Sequence, residues 1–412
     1  MVPTFFGTIQ KSKMKEVVII DGLRTAFGRM GGTLKDVTSV ELAGNTIKAL
    51  CDKTGILKKW KVDSVFAGSA FGDVNTNNFA RYASMLAGLP YETSASFIEM
   101  QCGSSIACIN NAALQIQAGL IDVAICGGAE SHSQTYYKFP TTLQPYKGIA
   151  PTAAMSRLAP EDIDNISMIE VSDLMAKTWD ITREQCDEFA LRSQNLAAKA
   201  IEEGYFIDEI TPIEIHPKKG TPIIFDTDEH PRGKTDLAKL EKLKPIMDGG
   251  VTTAGNSSGR NDGAAFVLMM SAEKAAELGY KPIAKWIMGA DIGVDPKVMG
   301  IGAAYSNCKI LDKMNLKIND VDVYECNEAF AAQNLSVIKQ MENMTGEKMN
   351  MDSWNPNGGA IAFGHPNGAS GARICIFTMN ELARRGAKYG MFSSCCGGGL
   401  GVSCLIENTY ER

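Results

Sequence analysis

Two stretches of this chain repeat each other, and the repeat limits the folds open to it. Asp63-Ser-Val-Phe-Ala-Gly-Ser-Ala-Phe aligns with Asp322-Val-Tyr-Glu-Cys-Asn-Glu-Ala-Phe. Ala118-Gly119, then Ile125-Cys126-Gly127-Gly128, aligns with Arg385-Gly386, then Ser394-Cys395-Cys396-Gly397. The matches keep their order at an offset of about 260–270 residues. Chance could produce either alone; together they point to a duplicated unit. Short apolar runs at Val17–Ile20, Ser64–Ala67, Val123–Cys126, Val321–Tyr324 and Met391–Ser394 read as buried strands. Helical stretches lie between them, which argues an α/β fold. The clearest is Ile181–Gly204: Thr182 and Gln185 form a capping box, Phe189, Ala190, Leu196, Ala197 and Ile201 keep helical spacing, and Gly204 stops the run.

The stretch from Ser131 to Lys244 has no counterpart in the second half and is richer in Pro, Tyr, Asp and Glu. It reads as a large insertion. The expected organisation is 14–130 with 245–281 as one half, 131–244 as an inserted loop domain, and 282–412 as the other half. A chain of 412 residues can build two or three cores of that size.

Chemistry concentrates at glycine-rich turns. Forty glycines are roughly a tenth of the chain, against a typical ~7%. They cluster in Gln101-Cys102-Gly103-Ser104-Ser105, in Asn355-Pro-Asn-Gly-Gly-Ala-Ile-Ala-Phe-Gly-His-Pro-Asn-Gly, and in Ser394-Cys395-Cys396-Gly397-Gly398-Gly399. Glycine lets the backbone approach a ligand and exposes its N–H groups. Cys102 precedes a helical run, Ile106–Ala118, so the helix dipole is expected to lower its thiol pKa and make it nucleophilic. His365, between Gly364 and Pro366, reads as functional. Cys395 can carry a proton toward a substrate, whereas its neighbour Cys396 points the other way and reads as structural. Asn327, after a strand, can hold a water or carbonyl at the strand end. Cys108, Cys126, Cys308, Cys326, Cys375 and Cys404 lie in apolar stretches and read as core; Cys51 and Cys186 lie on helical stretches.

The bulk composition excludes other classes. Net charge is −6 and no basic run occurs, so nucleic acid is not an expected partner. Eleven cysteines without a C-x-x-C point to a reduced compartment and against a disulfide framework. His132, His216, His230 and His365 are scattered in sequence, so no metal site is expected. No apolar run approaches ~18 residues, so no membrane span is expected. Residues 1–13 lack the apolar core of a signal peptide; Met14 would make a natural start, and the preceding segment reads as an extension. The end at Tyr410-Glu-Arg is not a peroxisomal tripeptide.

Taken with Asn327-Glu-Ala-Phe330, the three glycine-rich segments resemble the thiolase family, which makes or cleaves carbon–carbon bonds in 3-ketoacyl-CoA. The resemblance runs from about Lys15 to the end. It implies layered, duplicated α/β halves with the insertion as a lid over CoA. Cys102 would be the acyl-carrying nucleophile, His365 the base that activates it, and Cys395 the acid/base that moves the α-proton of acetyl-CoA. Asn327, through a water, and His365 would form one oxyanion hole; the N–H groups of Cys102 and Gly397 would form the other. A single such donor can be worth ~3 kcal/mol in the transition state. The resemblance also implies that Ser258, within Thr253-Ala-Gly-Asn-Ser-Ser-Gly, meets the pantetheine arm, and that Arg232, in Asp228-Glu-His-Pro-Arg232, meets the CoA nucleotide. Met299, Met168 and Phe330 fall where the family lines its acyl and pantetheine channel. Coenzyme A would be a substrate, and no metal or redox cofactor is needed. A cytoplasmic homodimer or homotetramer of fatty acid metabolism is implied.

The chain also departs from the family pattern. Ser167-Met-Ile stands where many members carry His-Met-Gly. Gly300-Ile-Gly-Ala-Ala-Tyr lacks a proline often found there, and Arg260 replaces an aliphatic residue. These changes touch the channel and leave acyl chain length open. Two other readings stay open: a ketoacyl-synthase-like condensing enzyme on another thioester, which would not be expected to carry Cys395, and a catalytically silent thiolase-like subunit, which would be expected to have lost a catalytic motif.

Overall fold

Nine strands form the main path of one continuous eleven-stranded sheet. In chain order they are β1 (Val17–Thr25), β2 (Ser64–Gly68), β3 (Ser94–Ile98), β4 (Val123–Ser131), β5 (Asn261–Ser271), β6 (Ala284–Gly293), β7 (Val323–Cys326), β8 (Tyr389–Cys396) and β9 (Leu400–Asn408). The computed structural model describes residues 14–140, 152–154, 156–162, 165–217 and 220–410; the expected extension at 1–13 lies outside them. The sheet runs β7-β8-β9-β6-β1-β5-β4-β2-β3.

The duplication is explicit in this order. In the first half β2 is parallel to β4, β4 antiparallel to β5, and β5 antiparallel to β1. In the second half β7 is parallel to β8, β8 antiparallel to β9, and β9 antiparallel to β6. The halves join where Val17–Ile19 of β1 pair antiparallel with Ala284–Trp286 of β6. β3 adds an edge strand to the first half, parallel to β2.

Helices separate the layers. They are α1 (Ser39–Thr54), α2 (Phe79–Leu86), α3 (Ser104–Gln117), α4 (Met168–Thr178), α5 (Arg183–Glu202), α6 (Gly302–Met314), α7 (Ala331–Thr345) and α8 (Asn367–Arg385). One core packs α1 and α2 on the first half, through Leu42, Ile47 and Phe79 against Val65 and Leu268. A second holds α3 and α8 between the halves, with Ile109 and Ile374 against Phe66, Val267, Phe392 and Ile406. A third packs α6 and α7 on the second half and takes in Met175 of α4 and Phe189 of α5 from the expected insertion. Each fully buried aliphatic side chain contributes about 1.5–3 kcal/mol. α3 and α8 meet closely: a Cβ on Gly371 would stand 2.5 Å from Ile106 Cγ1, and Ala372 N–H donates to Ser105 Oγ at 2.9 Å.

Local signals held where they were strongest. α5 starts at the Thr182–Gln185 capping box, and Gly204 just beyond it has φ +73. The strand expected from Val321 begins at Val323 instead. Asp322 is used differently, its carboxylate accepting from the N–H groups of Lys388 and Tyr389 at 2.8 and 2.9 Å. The long excursion between β4 and β5 is tied back by Arg24 of β1, fully buried, which pairs with Glu209 at 2.6 Å and Asp228 at 2.8 Å.

Candidate active site

Cys102 lies in a single 3-10 turn, Gln101–Gly103, between β3 and α3. The turn is held by side chains: Met100 N–H donates to Ser104 Oγ at 2.9 Å, and Ser104 Oγ donates to Gln101 O at 2.7 Å. Gln101 has φ +47, a conformation L-residues rarely adopt, so the turn presenting Cys102 is strained. The two serines after Gly103 are therefore structural, one closing this turn and the other bonding α8. Cys102 is buried, and burial pushes its thiol up to about 12, against its own backbone N–H and the Asn367 amide, which lower it. This corrects the expectation of a lowered pKa: burial of the sulfur outweighs the hydrogen bonds that favour the thiolate. Cys102 rests as a thiol and needs a base.

His365 has the form of that base. Asn327 Nδ2, which can only donate, lies 3.3 Å from His365 Nε2. On the other side His365 Nδ1 is 2.6 Å from Ser370 Oγ, and Ser370 Oγ donates to Pro366 O at 3.1 Å. Ser370 thus spends its proton on Pro366, so Nδ1 carries the imidazole hydrogen and Nε2 is left as the acceptor. Burial, with His132 and Arg373 adding to it, lowers the His365 pKa to about 3. The ring is neutral at physiological pH. Its backbone N–H donates to Gly259 O at 3.2 Å and to Asn261 Oδ1 at 3.1 Å.

Cys395 and Cys396, consecutive on β8, enter different cores, the second-half core and the central one. A Cβ on Gly103 would stand 2.5 Å from Cys396 Sγ, so Cys396 packs beneath the Cys102 turn. Burial raises both thiols well above 9, and each is pushed further by Cys102. The next residue, Gly397, sits where a Cβ would be 3.4 Å from Gln101 Cγ. Asn327 is fully buried; its N–H donates to Ser393 O at 2.9 Å, and its side-chain oxygen has no partner among the described residues. Glu130 closes the site from beneath. Its carboxylate accepts from Ser69 Oγ at 2.6 Å, Ala70 N at 2.7 Å and Gly368 N at 3.0 Å, and burial raises its pKa to about 7. It fastens the N-terminus of α8 to the first half.

The first half thus supplies the thiol, before the N-terminus of α3, and the second half supplies the histidine, before the N-terminus of α8, and the second thiol, at the end of β8. Comparison with known proteins agrees with this duplicated layout. Residues 17–273 match the thiolase N-terminal domain and residues 280–408 the thiolase C-terminal domain. The chain belongs to the thiolase family. The acetyl-CoA acetyltransferase of Syntrophomonas wolfei is 41% identical over 402 residues, 95% of this chain and 99% of that one. The β-ketoadipyl-CoA thiolase of Acinetobacter baylyi is 39% identical over 410 residues, covering 96% and 100%. The crystal structure of the Bacillus anthracis acetyl-CoA acetyltransferase superposes with a TM-score of 0.89 at 39% identity, covering 96% of this chain and all of that one. The chain is accordingly a thiolase and an acyltransferase.

The remaining sequence candidates of this thiolase fall into two groups. Arg232 lines a cleft of about 520 Å³ with Lys234, Lys239, Leu243, Gly255 and Ile361. Arg232 is exposed, and its backbone N–H is held by Gln194 Oε1 at 2.8 Å. Ser258 is half-buried and donates its N–H to Ala329 O at 2.9 Å, beside the Asn327 turn. Met299 is buried in the same core as Cys395, and Met168 and Phe330 pack on that core. Sequence reasoning passed over His132, Asn367, Glu130 and Ser370. Asn367 and Ser370 lie within the glycine-rich segment around His365 and were findable there. His132 and Glu130 carry no local signal, because only the tertiary fold brings Ser131–Ser133 against α8. No described helix is long and apolar enough to cross a membrane.

Proposed function

We propose that this thiolase exchanges 3-ketoacyl-CoA plus CoA with acyl-CoA plus acetyl-CoA by a ping-pong route through an acyl-Cys102. His365 Nε2 takes the Cys102 proton, and the thiolate attacks the 3-keto carbon. The Cα–Cβ bond then breaks, and the departing acetyl-CoA carbanion takes the Cys395 proton. The acyl group stays on Cys102. The CoA thiol gives its proton to the Cys395 thiolate and attacks the acyl-cysteine, and Cys102 leaves as a thiolate that recovers its proton from His365. Asn327 with His365, and the N–H groups of Cys102 and Gly397, receive the two oxyanions. Nucleophile and proton carriers are all side chains, so the chemistry needs no metal or redox cofactor, and CoA is a substrate. The observation that carries this reading is the neutral His365 with Nε2 left as an acceptor.

Met168, Met299 and Phe330 form the acyl side of the channel in this reading, and Ser258 and Arg232 the CoA side. The segments 14–130 with 245–281, 131–244 and 282–412 act as half, lid and half. The edge strand β3 supports at least a dimer. Among the described strands it has no partner on one side, and it exposes Phe97, whose Cζ would stand 3.9 Å from a Cβ on Gly72; an uncovered edge strand is a template for a second copy. Eleven free, buried cysteines support a reducing, cytoplasmic setting, and thiolysis of 3-ketoacyl-CoA fits a role in fatty acid metabolism.

The test is thiolysis of 3-ketoacyl-CoAs from C4 upward with CoA, with mass detection of acylated Cys102. Turnover with label on Cys102 is expected, and the profile defines the acyl length. No turnover and no label on any CoA ester would overturn the reading in favour of a carrier-protein thioester or a silent subunit. Sedimentation at micromolar protein tests the dimer, which a single monodisperse monomer would contradict.

A further inference from the structure

Among the described residues Cys102 Sγ has one side-chain donor, Asn367 Nδ2 at 3.4 Å. Behind it stands a chain. Asn367 Oδ1 lies 2.9 Å from His132 Nε2, and Arg260 Nε lies 3.3 Å from His132 Nδ1. The direction of every bond follows from the far end. A guanidinium can only donate, so His132 Nδ1 must accept. The imidazole hydrogen is then on Nε2, which donates, so Asn367 must offer its oxygen to His132. The amide N–H₂ is left facing the sulfur. All three hydrogen bonds run the same way, from the guanidinium of Arg260, an exposed residue, to the candidate nucleophile.

We propose that Arg260, His132 and Asn367 form a one-way hydrogen-bond relay that stabilises the Cys102 thiolate, with Asn367 a catalytic residue and His132 and Arg260 positioning residues. The proposal rests on Cys102 being the nucleophile. No proton moves along the relay; each member polarises and orients the next. The parts are anchored independently. His132 is buried, with the Phe71 ring edge-on at 5.3 Å between centroids. Burial lowers its pKa to about 4, which keeps it in the neutral form the relay requires. The backbone of Arg260 bridges to that of His365, and Gly368 N–H, next to Asn367, is held by Glu130. Besides Asn367 only the backbone N–H of Cys102 itself favours the thiolate; Glu99 and Glu130 raise the Cys102 pKa, and Cys395 and Cys396 are adjacent thiols. His132 itself faces Arg260, Asn367 and His365.

The experiment is the rate of Cys102 alkylation by iodoacetamide from pH 6 to 11, located by peptide mass, on wild type and variants of unchanged melting temperature. Asn367→Leu is expected to move the pH–rate curve up by about one unit, since a hydrogen bond to a charged group is lost. His132→Leu should move it less and Arg260→Met least. His132→Gln, which can accept from Arg260 and donate to Asn367, should recover part of the His132→Leu shift. The double variant Asn367→Leu/His132→Leu should shift no further than Asn367→Leu, because both act through one contact. Curves that superpose on wild type for Asn367→Leu and Asn367→Ser, with Cys102 still the labelled residue, overturn the relay. Should neither variant fold, superposed curves for His132→Leu and Arg260→Met overturn it. A label on another cysteine in the wild type is a different result: it sinks the assignment of Cys102 itself.

Discussion

The two halves use the same strand order and connect it differently. In the second half β8 returns to β9 through Gly397–Gly399, and Gly398 and Gly399 both have φ +89. In the first half β4 and β5 are joined by a long excursion carrying α4 and α5, held down by Arg24. The tight return brings bare backbone, Gly397, against the Cys102 turn; the long one supplies the cleft that Arg232 lines. One duplicated frame thus yields a wall of N–H groups on one side and a covering surface on the other. The central helices diverge in the same manner. α3 follows a thiol, and α8 follows a histidine and opens with an amide that meets that thiol.

The comparison can be broken most directly at the thiol. Cys102→Ser should lower thiolysis by on the order of 10⁴-fold and leave the melting temperature within a few degrees; activity near wild type would remove the first half's catalytic role. His365→Gln should cost roughly 10²–10⁴-fold in kcat, and a loss under tenfold would mean the second half supplies no base. The return loops are separated by stability. Gly399→Ala meets both a positive φ and Val294 O, 2.3 Å from the added Cβ, so its unfolding free energy from a urea titration should drop by more than the about 1–2 kcal/mol of the conformation alone. Gly249→Ala, in the first half's connection, has φ +75 and nothing within 4 Å, and should lose only the conformational part. Equal losses would show that the tight return is not special.

Smaller effects sharpen the picture. Burial holds His132 and His365 to about 4 and about 3, from 6.5. Between those values and about 6.5 the unfolded chain binds protons that the folded chain does not, so this stabilisation is complete above about 6.5 and is lost as pH falls. His132→Gln should therefore show a shallower fall in melting temperature from pH 6.5 to 4.5 than wild type. Glu130, raised to about 7, runs oppositely: its stabilisation is lost as pH rises through that value, so it does not produce the acid loss. An equally steep fall in the variant would place the acid sensitivity elsewhere. The smallest expected effect is Arg232→Ala. It should raise KM for CoA by roughly threefold with kcat unchanged, as for an exposed ion pair; a kcat loss with constant KM would move Arg232 into the chemistry.

Legibility followed the range of the interactions. The capping box of α5, the strand runs and the glycine clusters are local and are legible in the sequence. The start of the strand near Asp322 came two residues later than expected because that carboxylate answers to Lys388 and Tyr389, far along the chain. The thiol pKa was misjudged in direction for the same kind of reason. A helix N-terminus is visible in sequence, whereas burial of Cys102 by both halves is not, and burial dominates.

By itself the sequence determined that the chain is a duplicated α/β protein whose cysteines and histidine stand at bare turns, because strand runs, caps and glycines act over a few residues. Only the tertiary structure decided which of those turns meet and in what protonation. It set Ser131–Ser133 against α8, so that His132 reaches Asn367 and Asn367 reaches Cys102. It also left His365 neutral with Nε2 as an acceptor, because Ser370 and Pro366 fix the imidazole hydrogen on Nδ1. Hydrogen-bond direction and desolvation belong to the assembled site, where residues hundreds of positions apart exclude water together.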